Sequence, residues 1–217
     1  MSLDAFIVGN GPSAKDVKAE KLDGVVYGCN AAGAERGCAH VFCADPWGQY
    51  DIIKSGYSGQ MHFTRFKPVP CDVALDQVVD AGYDFVIHNE EQRAESSNFL
   101  IYSTGDSDVE AQFGTSGYWR RRRSYICFVP DSLKIQDLPL LKLESMDRPP
   151  SGAFALNYAL SQDHEKIIIM GFDSIFGEYS GSWDMRNEPY NREKQLFDKW
   201  GGVYDEIIGD REVEWRR

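Results

Sequence analysis

The sequence predicts an α/β fold: a Rossmann-like, mainly parallel sheet flanked by helices, with an irregular lid or insertion in the middle. Short apolar runs alternate with stretches of helical or turn composition, which is typical of βαβ units. One run, "KIIIMG" at 166–171, is apolar throughout its middle, as expected for a strand buried on both faces. The chain has 217 residues, and we expect a single domain, 1–217.

The predicted elements follow from these runs and from the helix and turn signals between them. The expected strands are Ala5–Val8, Val25–Gly28, His40–Cys43, Met61–Thr64, Asp84–His88, Tyr125–Val129 and Lys166–Met170. Helices are expected to begin near Pro12, Pro46, Asp72, Ser151 and Asn187. Residues 89–150 contain charged and glycine-rich stretches with no strong period, so we assign them as a lid or insertion within the domain.

The composition argues against several classes of protein. The formal net charge is -11 at pH 7, which repels nucleic-acid backbones and anionic lipids at long range. No apolar run approaches the roughly 20 residues that a membrane span needs. The N-terminus has no basic region before its apolar stretch, so it is not typical of a signal peptide. The cysteines form an odd-numbered set with no C-x-x-C, as expected in a reducing compartment. We therefore expect a cytoplasmic protein with no membrane span and no nucleic-acid partner.

One cluster of residues has two interpretations, a metal site or part of the hydrophobic core. Cys38, His40 and Cys43 lie close together in "CAHVFCADP". A zinc site needs a fourth ligand at a recognisable spacing. His40 and Cys43 also fall in an apolar strand, where cysteine is a common small hydrophobic residue. We favour the structural interpretation and predict no metal.

The first strand runs into a glycine turn, "GNGPSA", with the spacing G-x-G-x-x-A. Gly9 allows a tight turn, and Gly11 lets the backbone approach a ligand. Pro12 is typical of the first position of a helix, whose N-terminal N–H groups and dipole attract a phosphate. Ser13 adds a hydroxyl. The turn therefore predicts a site for a phosphorylated ligand, although a strand-to-helix turn without a ligand is the alternative.

A dinucleotide cofactor is the first ligand to consider for such a turn. A dinucleotide site usually has an acidic residue at the end of the second strand, where it binds the ribose. Here the second strand, "VVYGCN", ends at Asn30, an amide without that charge. The sequence therefore disfavours a nicotinamide cofactor.

Polar residues follow the ends of several predicted strands. Because ligands of open α/β sheets bind outside the carboxyl ends of the strands, these residues are expected to converge on one cleft. Each taken alone is as typical of a helix cap or a turn. The converging residues are Asn10, Asn30, Asp45, Ser151 and Asp173.

Four pieces of the chain together resemble one known family. They are "FIVGNGPSAKDV", "VVYGCNAAG", "VFCADP" and "SGAFALNYALSQDHEKIIIMGFDSIFGE". In this order and spacing they resemble the bacterial sialyltransferases that decorate lipooligosaccharides. The resemblance covers the first 46 residues and about residues 150–180. Domains with G-x-G-P-S are also similar to a pterin pyrophosphokinase group, so the glycine motif by itself points to nucleotide or diphosphate binding.

The resemblance implies a single α/β nucleotide-binding domain with a flexible lid that uses CMP-sialic acid without a metal or other cofactor. Asn10, Gly11 and Ser13 would lie by the phosphate and ribose. Tyr179 would act on the leaving phosphate, and an aromatic lid residue that packs on the core is the alternative for it. The expected partners are a nucleotide or nucleotide-sugar and a saccharide acceptor. The full set of expected nucleotide-binding residues is Gly9, Asn10, Gly11, Ser13, Asn30, Asp45, Ser151, Gly152 and Tyr179.

The chain departs from the family pattern at two places. The asparagine expected after the third strand is Asp45 here, and no histidine follows Asp173 to act as the general base. We expect a carboxylate to accept the proton instead, and the candidates are Asp173, Glu178 and Asp184. A loop that brings His62 or His88 into the cleft is the other option, whereas His164 precedes its strand and should lie at the opposite edge, on the surface.

Two other functions stay open at this point. In a diphosphokinase or other phosphoryl transferase, Asp45 and Asp173 would hold magnesium. In an inactive nucleotide-binding protein, the cleft would persist without a base. Two further polar stretches have alternatives of their own. Arg120–Arg123 form either a solvated or inter-subunit ion-pairing run or a phosphate clamp. Asp106 and Asp108 form a D-x-D pair, which holds a divalent ion in metal-dependent glycosyltransferases, and solvated loop carboxylates are the alternative.

Overall fold

The structure is a computed structural model that describes residues 3–44, 46–63, 69–71, 84–88, 99–103, 123–128, 133–139, 141–146, 149–176, 181–182, 190–191 and 195–216. The helices are α1 (Asn30–Glu35), α2 (Pro46–Lys54), α3 (Ser151–Leu160) and α4 (Gln195–Ile208). The strands are β1 (Leu3–Val8), β2 (Gly24–Cys29), β3 (His40–Cys43), β4 (Gln60–Phe63), β5 (Val69–Cys71), β6 (Asp84–His88), β7 (Phe99–Ser103), β8 (Arg123–Phe128), β9 (Lys134–Asp137), β10 (His164–Met170), β11 (Gly181–Ser182), β12 (Tyr190–Asn191) and β13 (Glu214–Arg216).

The main sheet has seven strands in the order β13-β10-β1-β2-β3-β4-β9. Every neighbouring pair in it is parallel. The predicted α/β, Rossmann-like fold is therefore confirmed. The strand order reverses beside β1, since the chain continues to β2 on one side and later adds β10 on the other. Such a reversal opens a crevice at the carboxyl ends of the strands beside it, here β1 and β10. Proteins of this α/β type bind their ligands in that crevice.

Helices cover both faces of the main sheet. Successive residues of β1 alternate between two buried clusters, with Ile7 packing beneath α3 and α4, and Val8 packing on the side of α2. Both side chains are fully buried, and burying such a side chain contributes about 1.5–3 kcal/mol. This double burial explains why the central strands are apolar at almost every position.

The predicted strands are all present, but one predicted helix start differs from the structure. Near Pro12 the chain forms only a single 3₁₀ turn, Pro12–Ala14. The amide of Ala19 then donates to the carbonyl of Arg36 at 3.0 Å, which takes the chain out of helical geometry. The last described helix begins at Gln195. The helix starts expected near Asp72 and Asn187 lie outside the described residues.

The segment between β4 and β9 contains a second sheet. It has four strands in the order β5-β7-β8-β6, in which only β6 and β8 pair in parallel. The chain leaves the main sheet after Phe63 and rejoins it at Lys134, a stretch that overlaps the insertion predicted at 89–150. In the part of the chain that the structure describes, no helix is long and apolar enough to cross a membrane.

Candidate functional site

The loops that follow β1 and β10 are joined by backbone hydrogen bonds. The amide of Gly9 donates to the carbonyl of Met170 at 2.9 Å, and the amide of Gly11 donates to the carbonyl of Gly171 at 2.7 Å. Gly171 has a φ of +75°, a conformation that glycine adopts at no steric cost. The two loops thus form one unit at the carboxyl edge of the sheet, at the crevice beside β1.

The glycines of the first loop are required by this close contact. A Cβ atom on Gly9 would overlap the carbonyl oxygen of Gly171, and one on Gly11 would overlap both that oxygen and the Asp173 carboxylate. The overlaps with the Gly171 carbonyl oxygen involve backbone, so a side-chain rotation could not relieve them. The G-x-G spacing therefore has a sufficient explanation in loop packing alone.

The Asp173 carboxylate binds the start of the 3₁₀ turn. Its Oδ2 atom accepts the Ser13 hydroxyl at 2.8 Å and the Ser13 amide at 3.3 Å. The amides of Gly11 and Ser13 are thus both bonded within the protein, and a three-residue turn has almost no dipole. The helix expected to begin near Pro12 is therefore only a 3₁₀ turn, and the placement of Gly11 and Ser13 beside a phosphate stays a prediction.

A second set of contacts connects α3 with the ends of β2 and β3. The Ser151 hydroxyl donates to Oδ1 of Asn30 at 3.0 Å and accepts the amide of Ala44 at 3.0 Å. Asn30 has a φ of +55°, in the left-handed region that asparagine tolerates better than most residues. Strained backbone of this kind clusters at functional sites. The expected approach of Asn30 and Ser151 is thus present in the structure.

The N-terminus of α3 faces the same edge of the sheet. Its N-cap is Pro150, which makes no side-chain capping bond, and among the described residues the amides of Ser151 and Gly152 have no hydrogen-bond partner. A Cβ atom on Gly152 would overlap Phe172 and the Tyr204 hydroxyl. Glycine at this position therefore lets the helix end approach the loop after β10.

Arg36 is a site residue that the sequence analysis missed. Its Nη1 atom donates to the carbonyl of Gly9 at 2.8 Å, and the residue is only 5% exposed. Burial lowers the pKa of this guanidinium. Within the described part of the chain, its Nε and Nη2 atoms have no partner, and Oδ1 of Asn10 is also buried without one. The only sequence signal is a lone arginine directly after the small residues of α1.

The three histidines whose side chains are described, His40, His62 and His164, lie on the sheet rather than in the cleft. His62 is completely buried, and its ring stacks on Phe42 with centroids 4.3 Å apart. His40 Nδ1 and His62 Nε2 share a hydrogen bond of 3.0 Å. Burial and the neighbouring His40 lower the pKa of His62 to about 3. The option that a loop brings His62 into the cleft is therefore wrong; the side chain of His88 lies outside the described residues.

His164 begins β10 at the amino edge of the sheet, as expected from its position before the strand. It is partly buried rather than a surface residue. Its Nδ1 atom bonds the carbonyl of Leu3 at 2.9 Å, and a carbonyl can only accept. In the neutral ring Nε2 must then accept, so the Tyr27 hydroxyl donates to it at 2.7 Å.

The cluster of Cys38, His40 and Cys43 is not a metal site. Cys38 and Cys43 pack in the core cluster on one face of the sheet, whereas His40 stacks on Tyr27, a member of the core cluster on the other face. Among the residues that the structure describes, no three histidine, cysteine or acidic side chains are grouped for a metal ion.

Several predicted residues lie outside the described part of the chain, and their roles stay predictions. They are Asp45, Asp106, Asp108, Glu178, Tyr179, Asp184, Arg120–Arg122 and the side chain of Arg123.

A surface hollow of about 460 Å³ lies elsewhere on the molecule, between α4 and β13. Trp215 and the ion pair of Lys166 with Glu214 at 3.3 Å are part of its wall. Both signs of charge line it, and it contains none of the predicted site residues.

The fold and the polar loops at its strand-order reversal define an α/β protein of Rossmann-like class with a candidate cleft at the carboxyl edge of the sheet. Comparisons with protein-family models, with curated proteins and with solved structures find no match to this chain.

Proposed function

We propose that this protein binds a CMP-type nucleotide or nucleotide-sugar at the carboxyl ends of β1, β2 and β10, and acts as a sialyltransferase-like glycosyltransferase. The observation that carries the proposal is the hydrogen bond from Ser151 to Asn30. It joins the N-terminus of α3 to the end of β2, next to the strand-order reversal where ligands of this fold class bind.

The N-terminus of α3 supplies the electrostatic part of the site. The helix has ten residues, long enough for a dipole equivalent to about half a positive charge at its N-terminus. The amides of Ser151 and Gly152 are the donors that would face a phosphate. This local field can attract an anion although the whole chain carries a formal charge of -11.

The neutral side chains beside this helix end suit the sugar and base of a nucleotide. Asn10 and Asn30 carry both donors and acceptors, and such amides can bond a ribose hydroxyl or a base edge. Asn30 is held in place by Ser151, so its orientation is fixed before a ligand arrives. Such preorganisation reduces the entropic cost of binding.

Transfer of the sugar requires a group that accepts the proton of the acceptor hydroxyl. Asp173, Glu178 and Asp184 are the candidates, as predicted from the sequence. In the structure Oδ2 of Asp173 is engaged by Ser13. The helix amides would stabilise the charge that develops on the leaving phosphate.

Isothermal titration calorimetry tests the binding step. We expect CMP to bind, with UMP, AMP and GMP as comparison nucleotides, each measured with and without magnesium. Ser151→Ala should weaken CMP binding about fivefold, the value of one neutral hydrogen bond. Ser161→Ala is the matched control, since its hydroxyl bonds the carbonyl of Tyr158 at the far end of the same helix.

A donor assay tests the transfer step. Purified protein is incubated with CMP-sialic acid, and release of CMP is measured with and without a saccharide acceptor. Acceptor-dependent release supports the transferase. Release or binding that requires magnesium and a nucleoside triphosphate would instead favour phosphoryl transfer, and CMP binding without turnover would favour an inactive nucleotide-binding protein.

A further inference from the structure

The guanidinium of Arg36 lies directly behind the glycine turn. It reaches from the end of α1 to the first peptide group after β1, where Nη1 donates to the carbonyl of Gly9 at 2.8 Å. Arg36 is 5% exposed, and among the described residues no carboxylate is paired with it. A buried cation without an ion-pair partner is costly and rarely retained without a role.

Unsatisfied polar atoms surround the same peptide group. Nε and Nη2 of Arg36 are buried donors without a partner in the described residues, and Oδ1 of Asn10 is a buried acceptor without one. The amide of Asn10 also has no partner there, unlike the amides of Gly9 and Gly11 on either side of it. Buried polar atoms in native proteins are nearly always bonded, so the free amide and Oδ1 of Asn10 mark the side of the peptide at which a ligand would bind.

The geometry of the peptide group connects these atoms. No cis peptide bond is present in the described chain, so the carbonyl of Gly9 and the amide of Asn10 point in opposite directions. Arg36 holds the carbonyl, which turns the amide away from the guanidinium. Asn10 is partly exposed whereas Arg36 is 5% exposed, so a ligand would approach this peptide from the Asn10 side. A hydrogen bond to the carbonyl also polarises the peptide and strengthens its N–H as a donor.

We propose that Arg36 is a positioning residue that fixes the Gly9–Asn10 peptide so that the Asn10 amide binds a phosphate group of the ligand. The inference rests on the proposed nucleotide site and adds the phosphate subsite to it. The ligand chemistry is a phosphate monoester or a diphosphate. The positive charge of Arg36 acts on it through the peptide and not by contact.

Binding measurements with three probes test this role. CMP carries nucleoside and phosphate, cytidine carries only the nucleoside, and inorganic pyrophosphate carries only the anion. Arg36→Met should weaken the binding of CMP and of pyrophosphate about tenfold, which corresponds to the loss of a hydrogen bond strengthened by a charge. Cytidine affinity should not change. Arg36→Lys keeps the charge and should restore part of the affinity for the two phosphate probes.

Arg211→Met is the matched control. Arg211 also donates to backbone carbonyls, those of Ile207 and Ile208 at the end of α4, but it lies in the surface hollow and not at the glycine turn. All three affinities should stay at the wild-type value in this variant.

The outcomes separate this inference from the proposed function. If Arg36→Met weakens the binding of CMP and of cytidine equally, Arg36 has only a structural role. That result would overturn this inference and leave the proposed function standing. Wild-type protein that binds pyrophosphate in an Arg36-dependent way but not CMP would overturn the proposed function alone. Wild-type protein that binds none of the probes would overturn both.

A measurement on the wild-type protein keeps the test valid if Arg36→Met does not fold. In a titration with pyrophosphate followed by ¹H–¹⁵N NMR, the Asn10 amide should show one of the largest shift changes. The amide of Gly11, already bonded to Gly171, should change less. An unmoved Asn10 amide at saturation would overturn the inference.

Discussion

The hydroxyl of Ser13 donates to the carboxylate of Asp173 at 2.8 Å, and this bond joins two loops that are 160 residues apart in the chain. The amide of Ser13 approaches the same oxygen at 3.3 Å. Together with the backbone bonds of Gly9 and Gly11, it holds the loops after β1 and β10 as one rigid edge of the candidate cleft.

Asp173→Ala should destabilise this edge. The substitution removes the only side-chain acceptor that the described residues offer to Ser13, and the loss of such a capping carboxylate typically costs about 1–2 kcal/mol. Urea unfolding followed by circular dichroism measures the change. Asp163→Ala, at an exposed acidic residue before β10, should change the free energy of unfolding by less than about 0.5 kcal/mol.

Asn30 allows the backbone and side-chain roles of one residue to be separated. Asn30→Ala places a Cβ-bearing residue without a polar side chain at φ +55° and should cost about 1–2 kcal/mol of stability. Asn30→Gly relieves that strain and should be the more stable variant. Both variants should bind CMP more weakly than wild type, because both remove the acceptor of Ser151. Equal unfolding free energies in the two variants would contradict the backbone argument.

Alanine substitutions at two glycines near α1 separate the stability cost of a steric overlap from the cost of backbone strain. A Cβ on Gly28 would lie 2.6 Å from Cα of Gly33 and 2.7 Å from Sγ of Cys38, so Gly28→Ala should cost about 2 kcal/mol or more. Gly37 has a φ of +72° but nothing within 4 Å of the added atom. Gly37→Ala should therefore cost only the backbone strain, about 1 kcal/mol. Chemical denaturation of both variants ranks the two effects.

The hydrogen-bonded pair of His40, which is partly buried, and His62, which is fully buried, should make the free energy of unfolding depend on pH. Burial lowers the pKa of both rings, that of His62 from 6.5 to about 3. The unfolded chain therefore binds protons more readily than the folded protein between these values. The free energy of unfolding should be highest above pH 6.5 and fall by about 1 kcal/mol per pH unit as the pH drops toward 4.

His62→Phe tests the source of this slope. The variant keeps an aromatic ring against Phe42 and removes one titrating group, so its unfolding free energy should fall less steeply between pH 6.5 and 4. Phe42→Leu is the control: it should lower stability at every pH but keep the wild-type slope. A wild-type slope in His62→Phe would show that other groups carry the pH dependence.

Much of the fold follows from the sequence because the central strands are buried on both faces. Runs such as Ala5–Val8 and Ile167–Met170 leave no solvent-facing position, so they are apolar at every residue. The edge strands β9 and β13 are short and polar, "KIQD" and "EWR", and no hydrophobic pattern distinguishes them from loops. Their place in the sheet is set by pairing with β4 and β10.

The positions of site residues were predictable where the order of strands and helices alone brings them together. Asn30 and Ser151 follow from the rule that strand ends meet at one edge, and they form a hydrogen bond. The structural role of Gly9, Gly11 and Ser13 was not predictable, because their amides are bonded to the end of β10 and the loop after it, about 160 residues away. Arg36 was missed for a similar reason: only the folded chain brings it to Gly9.

A titration of ¹⁵N-labelled wild-type protein with CMP, followed by ¹H–¹⁵N NMR, shows whether a CMP-type ligand occupies the cleft at the carboxyl edge of the sheet. We expect saturable shift changes concentrated at the amides of Asn10, Asn30, Ser151 and Gly152. No saturable change at these amides, or changes confined to the surface hollow beside Trp215, would contradict the proposed binding of CMP in this cleft.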